Sequence, residues 1–467
     1  MTRYFARTEI KVAADDETGP TVVLDAIRAD WRGFESGVFA LTANLESTDG
    51  PAHNYWRGLF ESGPSGPNPL DDAPIVRIEV SSPAKDRVSR SLLGAKLPWL
   101  EFETGDPNGV PAVLFDAGMK GLFDSEGVNV QIGHLRESRF SPALKRIFDM
   151  GSWPNADEVK IKKALGEVPA FSQMLAIDVG QGGANALIDT TGTPRLYFDV
   201  GAGMGRHSGS TPPNLSFCAC RGQPIVLSHW DTDHWAGARL EPRFLAHVWI
   251  APRQRIGPSH TKLASDILHA HGDILIYASK KAVEISLQWE NPRWVKQHAG
   301  PDQRLSLVPC TGRNRNDSGL AMRVRDIERE LEWLLTGDAS YDAIPASPTP
   351  VDYAAVTASH HGAKQPRIGS VIPARTTRAE KYARLLYSFA TPNSFGHPHP
   401  KAVHDSARQG WRHGPMVVPY AAAKFDALAT GLGDTQRARA SVAAGWRRRP
   451  LLPKHLLECV NDMEIVR

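Results

Sequence analysis

Between residues 223 and 234 an apolar strand, QPIVLSH, runs straight into His229-Trp230-Asp231-Thr232-Asp233-His234. No other stretch constrains the fold as tightly. Four side chains able to ligate a metal lie within six residues. Alternation along an extended segment puts residues 229, 231 and 233 on one side, and His234 joins them where the chain turns toward a helix. Imidazoles and carboxylates this dense repel and desolvate one another unless a cation neutralises them. The fold must therefore end one buried strand at a polar rim and bring further ligands to it.

Further ligands recur at the ends of later apolar segments. LLTGDA (334–339) delivers Asp338, AVTASHHG (355–362) delivers His360 and His361, and FGHPHP (395–400) delivers His397 and His399 on a proline-stiffened loop. Each alone has a plain reading as a turn, a surface pair or a loop whose histidines bond water. Together, and each after a strand, they form a pattern. Additional strands are expected at 174–180, within 185–201, and at 247–252, 273–279, 320–326, 331–337 and 352–360. Helices are expected after residue 234, near 261–271 and near 400–409. The strands read as antiparallel runs with helices between them, an α/β chain with a two-sheet core covered by helices rather than a simple parallel sheet.

The texture before residue 170 differs. IVRIEVS (75–81) and PAVLFDAG (111–118) read as strands, SGPSGPNPLDDAP (62–74) as a loop, and 141–150 and 156–167 as helices. This N-terminal region is expected to be mixed α+β, and it carries no motif with attached chemistry. The reading thus divides the chain into 1–170, a core bearing the ligand-type motifs over 171–410, and a basic extension over 411–467.

Composition excludes several classes. Of 467 residues, 41% are hydrophobic and 22% charged, which is ordinary globular usage. No apolar run approaches the ~20 residues of a membrane helix, so no membrane insertion is expected. The opening MTRYFARTEIKVAADDETG has no apolar core of the secretory type. Cys218, Cys220, Cys310 and Cys459 include one CxC pair but no second pair at zinc-site spacing. They read as reduced thiols of a cytoplasmic protein. No GxxxxGK[ST] phosphate loop, HExxH helix or GxSxG elbow occurs. The net charge of +3 conceals an asymmetry. Residues 362–467 hold 17 Lys/Arg against 7 Asp/Glu, a net of +10, leaving −7 for the remainder. Arg447, Arg448 and Arg449 are the sharpest point of this surplus. It suits phosphate contact, or equally a solvated basic face.

The motifs resemble those of the metallo-β-lactamase superfamily, and most closely the hydrolase domain of ComEC-type DNA-uptake proteins. The resemblance is carried by DVGQGGANALI (178–188), IDTTGTPRLYFDVG (188–201), SHWDTDHWAGA (228–238), NDSGLAMRV (316–324) with LLTGDA, and SHHGAK (359–364) with NSFGHPHPKAV (393–403). It implies an αββα sandwich over 171–410 and two divalent metal ions, Zn or Mn. By the same resemblance His229 and Asp231 hold the first ion and Asp233 and His234 the second. Asp338 bridges them, and His360 or His361 completes the shell. Asp233 would also orient the attacking water, and His397, His361 or Lys364 would protonate the leaving oxygen.

The departures are equally specific. Gly183 stands where these proteins usually carry an acidic residue. The usual extra metal-binding histidine has no clear counterpart, since His247 and His260 sit in that interval without a motif. Asp231 stands where β-lactam-hydrolysing members have His, which makes the site harder and favours Mn²⁺ or Mg²⁺ relative to Zn²⁺. No membrane channel is present, so DNA transport is not implied. The resulting expectation is a metal-dependent phosphodiesterase or nuclease acting on nucleic acid or nucleotides. Trp230 and Trp235 are available to stack bases or to serve as core. The alternatives are a small-molecule hydrolase on the same fold, acting on a cyclic nucleotide, lactone, thioester or β-lactam, or a non-catalytic metal- or nucleic-acid-binding protein. Protein partners are not legible.

Overall fold

A computed structural model describes residues 1–12, 21–46, 49–81, 99–116, 125–290, 302–347, 351–365, 372–376, 382–391, 393, 395–413, 426–431, 441–446 and 465–466. The chain divides into two compact units, Met1–Pro154 with Arg255–Asp273, and Asn155–Gln254 with Ile274–Arg467. The first boundary thus falls before the 170 read from texture, and one helix of the middle region belongs to the first unit.

The first unit is built on a closed barrel. Its strands are β1 (Thr2–Val12), β2 (Thr21–Arg28), β3 (Ile75–Ser81), β4 (Leu100–Thr104), β5 (Val110–Asp116) and β6 (Ser125–Glu137), in the order β1-β2-β3-β5-β6-β4. Every pairing is antiparallel, and β4 closes the ring onto β1. Period-two alternation fills the interior: Tyr4 and Ala6, Val22, Leu24 and Ala26, Val76, Ile78 and Val80, then Leu100 and Phe102 form one buried cluster. The mixed α+β expectation holds in outline; the barrel itself was not foreseen. Helix Pro258–His269 covers part of the outside. The Asp25 carboxylate on β2 accepts from the Ser259 backbone N–H at 3.1 Å, satisfying a donor in the first helical turn.

The second unit has two sheets. In the first run β7 (Gln173–Ala176), β8 (Ala184–Ile188), β9 (Pro194–Val200), β10 (Ile225–Val226), β11 (Val248–Pro252) and β12 (Asp273–Tyr277). In the second run β13 (Val283–Leu287), β14 (Gln303–Pro309), β15 (Leu320–Asp326), β16 (Leu331–Leu335), β17 (Asp352–Thr357), β18 (Arg384–Tyr387) and β19 (Ala427–Ala429). The first sheet is completed by β20 (Ser441–Ala444) and β21 (Ile465–Val466), with β20 paired antiparallel to β7. Strands from 427 onward are therefore built into both sheets rather than forming a separate extension. One core is shared by both sheets, from Met174, Leu196, Phe198 and Ile250 on one to Leu305, Met322, Trp333 and Leu386 on the other. A second cluster lies on the far face of the second sheet and includes Val356, Leu385, Tyr387 and Trp411.

The strand pattern departs from the antiparallel reading in part. β9-β10-β11 and β16-β17-β18-β19 pair in parallel. β10 is only two residues long because the chain leaves the ladder at Ser228. There the Ser228 backbone N–H donates to the Asp199 carboxylate at 2.7 Å and its carbonyl accepts from Leu320. No helix among the described residues is long and apolar enough to cross a membrane. Arg447, Arg448, Arg449 and Cys459 lie outside the described residues, and among the described residues Cys218, Cys220 and Cys310 form no disulfide.

Candidate metal centre

Residues from several strand ends of the second unit meet beyond β10. The Ser228–His234 segment folds into a tight turn, which brings His229, Asp231, Asp233 and His234 together. Gly337, just after β16, admits the approach of Ser228 and holds a left-handed backbone (φ 53°), after which Asp338 follows at once. His360 and His361 follow β17 with left-handed backbones (φ 47° and 55°), continued by Gly362 at 88°. Two successive non-glycine residues in that region are strained, and such strain persists where surrounding contacts over-determine it.

Asp338 sits at the middle. Its Oδ1 lies 3.1 Å from His234 Nε2 and 3.5 Å from His361 Nε2, and its Oδ2 lies 3.4 Å from His360 Nε2 and 3.8 Å from His229 Nε2. Asp233 Oδ2 is 3.5 Å from His361 Nε2. Two compact donor sets result, His229–His234–Asp338 and Asp233–His234–His361.

The tautomers follow from the partners of the opposite ring nitrogens. His234 Nδ1–H donates to Asp199 Oδ2 at 2.8 Å, and His361 Nδ1–H to the Ser388 carbonyl at 2.7 Å. The Ser228 hydroxyl donates to Asp199 at 2.8 Å, so it accepts from His229 Nδ1–H at 2.9 Å. All three Nε2 atoms therefore present a bare lone pair. These three atoms and Asp338 Oδ1 are buried with no hydrogen-bond partner. Unsatisfied buried groups are costly, and four of them gathered in two adjoining donor sets fit bound cations.

Those lone pairs belong to the neutral rings; without a cation the carboxylates favour a proton on His234 and His361 instead. Burial alone would raise the Asp338 carboxyl, yet His360, His234 and His361 outweigh it and hold the group well below the ordinary carboxylate range. Burial would lower His234, but Asp338 and Asp199 raise it well above an ordinary imidazole. The Asp231 carboxylate, also penalised by burial, is held low by Arg315, whose Nη1 donates to Oδ1 at 2.6 Å, and by His229.

The two histidines of the HHG motif separate clearly. His361 is buried and belongs to a donor set. The His360 side chain is 40% exposed, and its Nδ1 accepts from the Asn316 side-chain amide at 3.3 Å, which leaves its hydrogen on Nε2. His397 is close by, its ring centroid 5.3 Å from that of His360, and burial together with these neighbouring imidazoles pushes it well below its ordinary pKa. Lys364 is exposed, and no hydrogen bond or ion pair of the cluster includes it. Trp230 and Trp235 are buried, with their indole N–H groups donating to the Pro252 and Trp230 carbonyls, so they are core rather than base-stacking surfaces. His247 Nδ1–H donates to the Gln223 carbonyl at 2.9 Å, apart from the donor sets, and His260 belongs to the first unit.

Four contributors were missed in the sequence. Asp199 and Ser388 orient ligating rings, Arg315 pairs with Asp231, and Asn316 fixes His360. Asp199, like Asp338, is a carboxylate at the end of an apolar strand with a glycine within two residues, and no ligand motif marks it. Gly183 explains one departure from the family pattern: a Cβ there would lie 2.8 Å from His234 Cε1, so an acidic side chain does not fit beside this ring.

No protein-family model and no curated protein sequence matches the chain. Among solved structures it is similar to Zn²⁺-bound PqqB from Methylobacterium extorquens, at 10% identity over 56% of this chain and 92% of that one, with a TM-score of 0.28. It is similar to the archaeal metallo-β-lactamase superfamily protein ST1585 from Sulfolobus tokodaii, at 14% identity over 40% and 69% of the two chains, TM-score 0.21. It is also similar to a Cronobacter sakazakii metallo-β-lactamase with a HARLDQ motif, at 15% identity over 41% and 68%, TM-score 0.20. Likenesses this slight carry no weight for substrate or chemistry.

Proposed function

We propose that the chain is a divalent-metal-dependent hydrolase of phosphodiesters, with nucleic acid as its substrate class, on an αββα scaffold of the metallo-β-lactamase kind. The observation that carries the metal reading is the convergence of unpartnered His229 Nε2, His234 Nε2, His361 Nε2 and Asp338 Oδ1. His229, Asp231, Asp233, His234, His361 and Asp338 would hold divalent metal, two ions of Zn or Mn. When bound, the metal supplies Lewis acidity to the scissile phosphoryl group and eases ionisation of water at neutral pH.

The chain's own residues supply the rest. Hydrolysis adds water across a P–O bond: the water oxygen bonds to phosphorus, and a proton must reach the departing oxygen. We assign His360, its Nε2–H on the more open side of the cluster, to donate a hydrogen bond to that oxygen while a solvent water supplies the proton, ahead of His397 and Lys364. Asp233, with its side chain 21% exposed, is placed to orient the attacking water. The phosphodiester reading is favoured by the carboxylates Asp231, Asp233 and Asp338 among the donors, by Arg315 beside Asp231 and by the net +10 of residues 362–467.

The test incubates full-length protein with single- and double-stranded DNA, RNA and bis(p-nitrophenyl) phosphate, with Mn²⁺ or Zn²⁺ and with chelator. Metal-dependent cleavage, abolished in Asp233→Asn and His234→Ala, is expected. A metal-loaded protein that leaves every phosphodiester intact would overturn the proposal, and turnover of a lactone or thioester panel instead would move the assignment to a small-molecule hydrolase.

A further inference from the structure

We propose that Cys218 and Cys220 form a redox-active dithiol site, which closes to an intramolecular disulfide under a peroxide and reopens under a dithiol reductant. The site stands apart from the metal centre and does not rest on the hydrolase reading, since neither cysteine belongs to a donor set.

The two sulfurs lie 3.0 Å apart, in direct contact, with Cys218 buried and Cys220 exposed. They belong to the loop that enters β10, and that loop is tied down on both sides of the pair. The Tyr197 hydroxyl of β9 donates to the Cys218 carbonyl at 3.1 Å. Gln223 Nε2 donates to the Pro194 carbonyl, at the start of the same strand, also at 3.1 Å. The Gln223 carbonyl in turn accepts from His247 Nδ1–H at 2.9 Å. Tyr197 packs on Phe217 and Phe244, with ring centroids 6.2 and 5.1 Å away. Disulfide formation therefore asks for a short approach of two side chains already in contact and for no refolding of the loop. The ordering that closing a small ring costs a loose chain has been met by the fold.

The difference in exposure assigns the two roles. Cys220 meets the oxidant. Its sulfur, as thiolate, attacks one peroxide oxygen, the O–O bond breaks, and the other oxygen leaves as water with the thiol proton. Cys218 then attacks the sulfur of the Cys220 sulfenic acid. The S–S bond forms, the S–O bond breaks, and the hydroxyl leaves as a second water with the Cys218 proton. The two sulfurs give up two electrons, and one peroxide becomes two waters. Exchange with a small dithiol returns both thiols. Cys310 supplies the contrast within the same chain. Burial pushes its thiol up to about 12, which keeps it neutral and slow to react.

Full-length protein is reduced, desalted into buffer containing chelator and exposed to hydrogen peroxide. After an acid quench and denaturation the remaining thiols are alkylated, and the tryptic peptide 207–221, which holds both cysteines, is weighed by mass spectrometry. The expected result is loss of both labels, a peptide two hydrogens lighter than its reduced form, and return of both labels after dithiothreitol, with Cys310 labelled throughout. Cys220→Ser is expected to leave Cys218 labelled after the same exposure. Retention of both labels in the wild type, a sulfinic or sulfonic acid at Cys220 with no disulfide, or pairing of either thiol with Cys310, Cys459 or a second chain would overturn the proposal. The wild-type peptide decides the matter even where the variant fails to fold.

Discussion

Asp199 ligates nothing, yet three hydrogen bonds converge on its buried carboxylate: from the Ser228 N–H, the Ser228 hydroxyl and His234 Nδ1–H. It holds the backbone at the strand end and the tautomer of a ligand at once. Its own backbone is left-handed (φ 64°), a region that Asn tolerates well. Asp199→Asn should therefore keep the fold while weakening metal binding by about 10–100-fold, the usual cost of losing such an outer partner. A chelator-competition titration alongside a denaturation midpoint measures this; an unchanged affinity would mean that His234 is oriented by packing alone. The residue-scale contrast with the sequence is instructive. His229, Asp231, Asp233, His234 and Asp338 were legible because ligand-type residues at strand ends are conspicuous. Asp199 and Arg315 were not, since their partners lie 35 and 84 positions away and only the fold brings them together.

Elements were read well where periodicity is strong and poorly where pairing is non-local. The strands at 320–326 and 331–335 were legible as apolar runs. Their polar outer face was not, and it holds Glu332 on β16 beside Arg323 on β15 at 3.2 Å. Burial pushes the Glu332 carboxyl up to about 7, the two neighbouring arginines only partly opposing it. The folded state then holds a proton between roughly pH 4.5 and 7 that the unfolded chain has released. Its contribution to stability is full below that window and is lost as pH rises through it. Urea midpoints at pH 5 and pH 8 should differ by an amount worth about 2–3 kcal/mol for this group, and Glu332→Gln should remove that part of the difference. The parallel pairing of β16 with β17 was missed for the same reason as the position of β20: a strand's neighbour is not written in its own sequence. Trp446, following β20, stacks on Trp333 with centroids 3.8 Å apart and donates to the Phe171 carbonyl at 2.9 Å. Trp446→Ala should cost about 3–5 kcal/mol, as for other buried aromatic truncations, read as a lower denaturant midpoint; a loss under about 1 kcal/mol would show that this stretch is as dispensable as an extension.

At the scale of the whole molecule, the path of the chain decides what can be separated. It leaves the second unit after Gln254, gives helix Pro258–His269 to the first, and returns at Ile274. Composition marked a change near residue 170, but a boundary set by contacts includes an excursion that composition does not reveal. The helix buries Leu263, Ala264, Ile267 and Leu268, and its first turn is satisfied by Asp25 of the barrel. A fragment of residues 155–467 should therefore display an orphaned apolar helix face and aggregate. The excursion leaves from one strand and returns into its neighbour, since β11 and β12 are adjacent in the sheet. Replacing 255–273 by a flexible Gly/Ser linker of about ten residues would span that gap. This linked fragment should be monomeric by gel filtration, unfold cooperatively and bind metal with the affinity of the full chain, because every donor identified at the centre lies within 155–254 or 274–467. If it precipitates like the plain fragment, the second unit does not fold alone. If it folds but binds no metal, the centre depends on the first unit, a dependence that none of the donor contacts described for it contains.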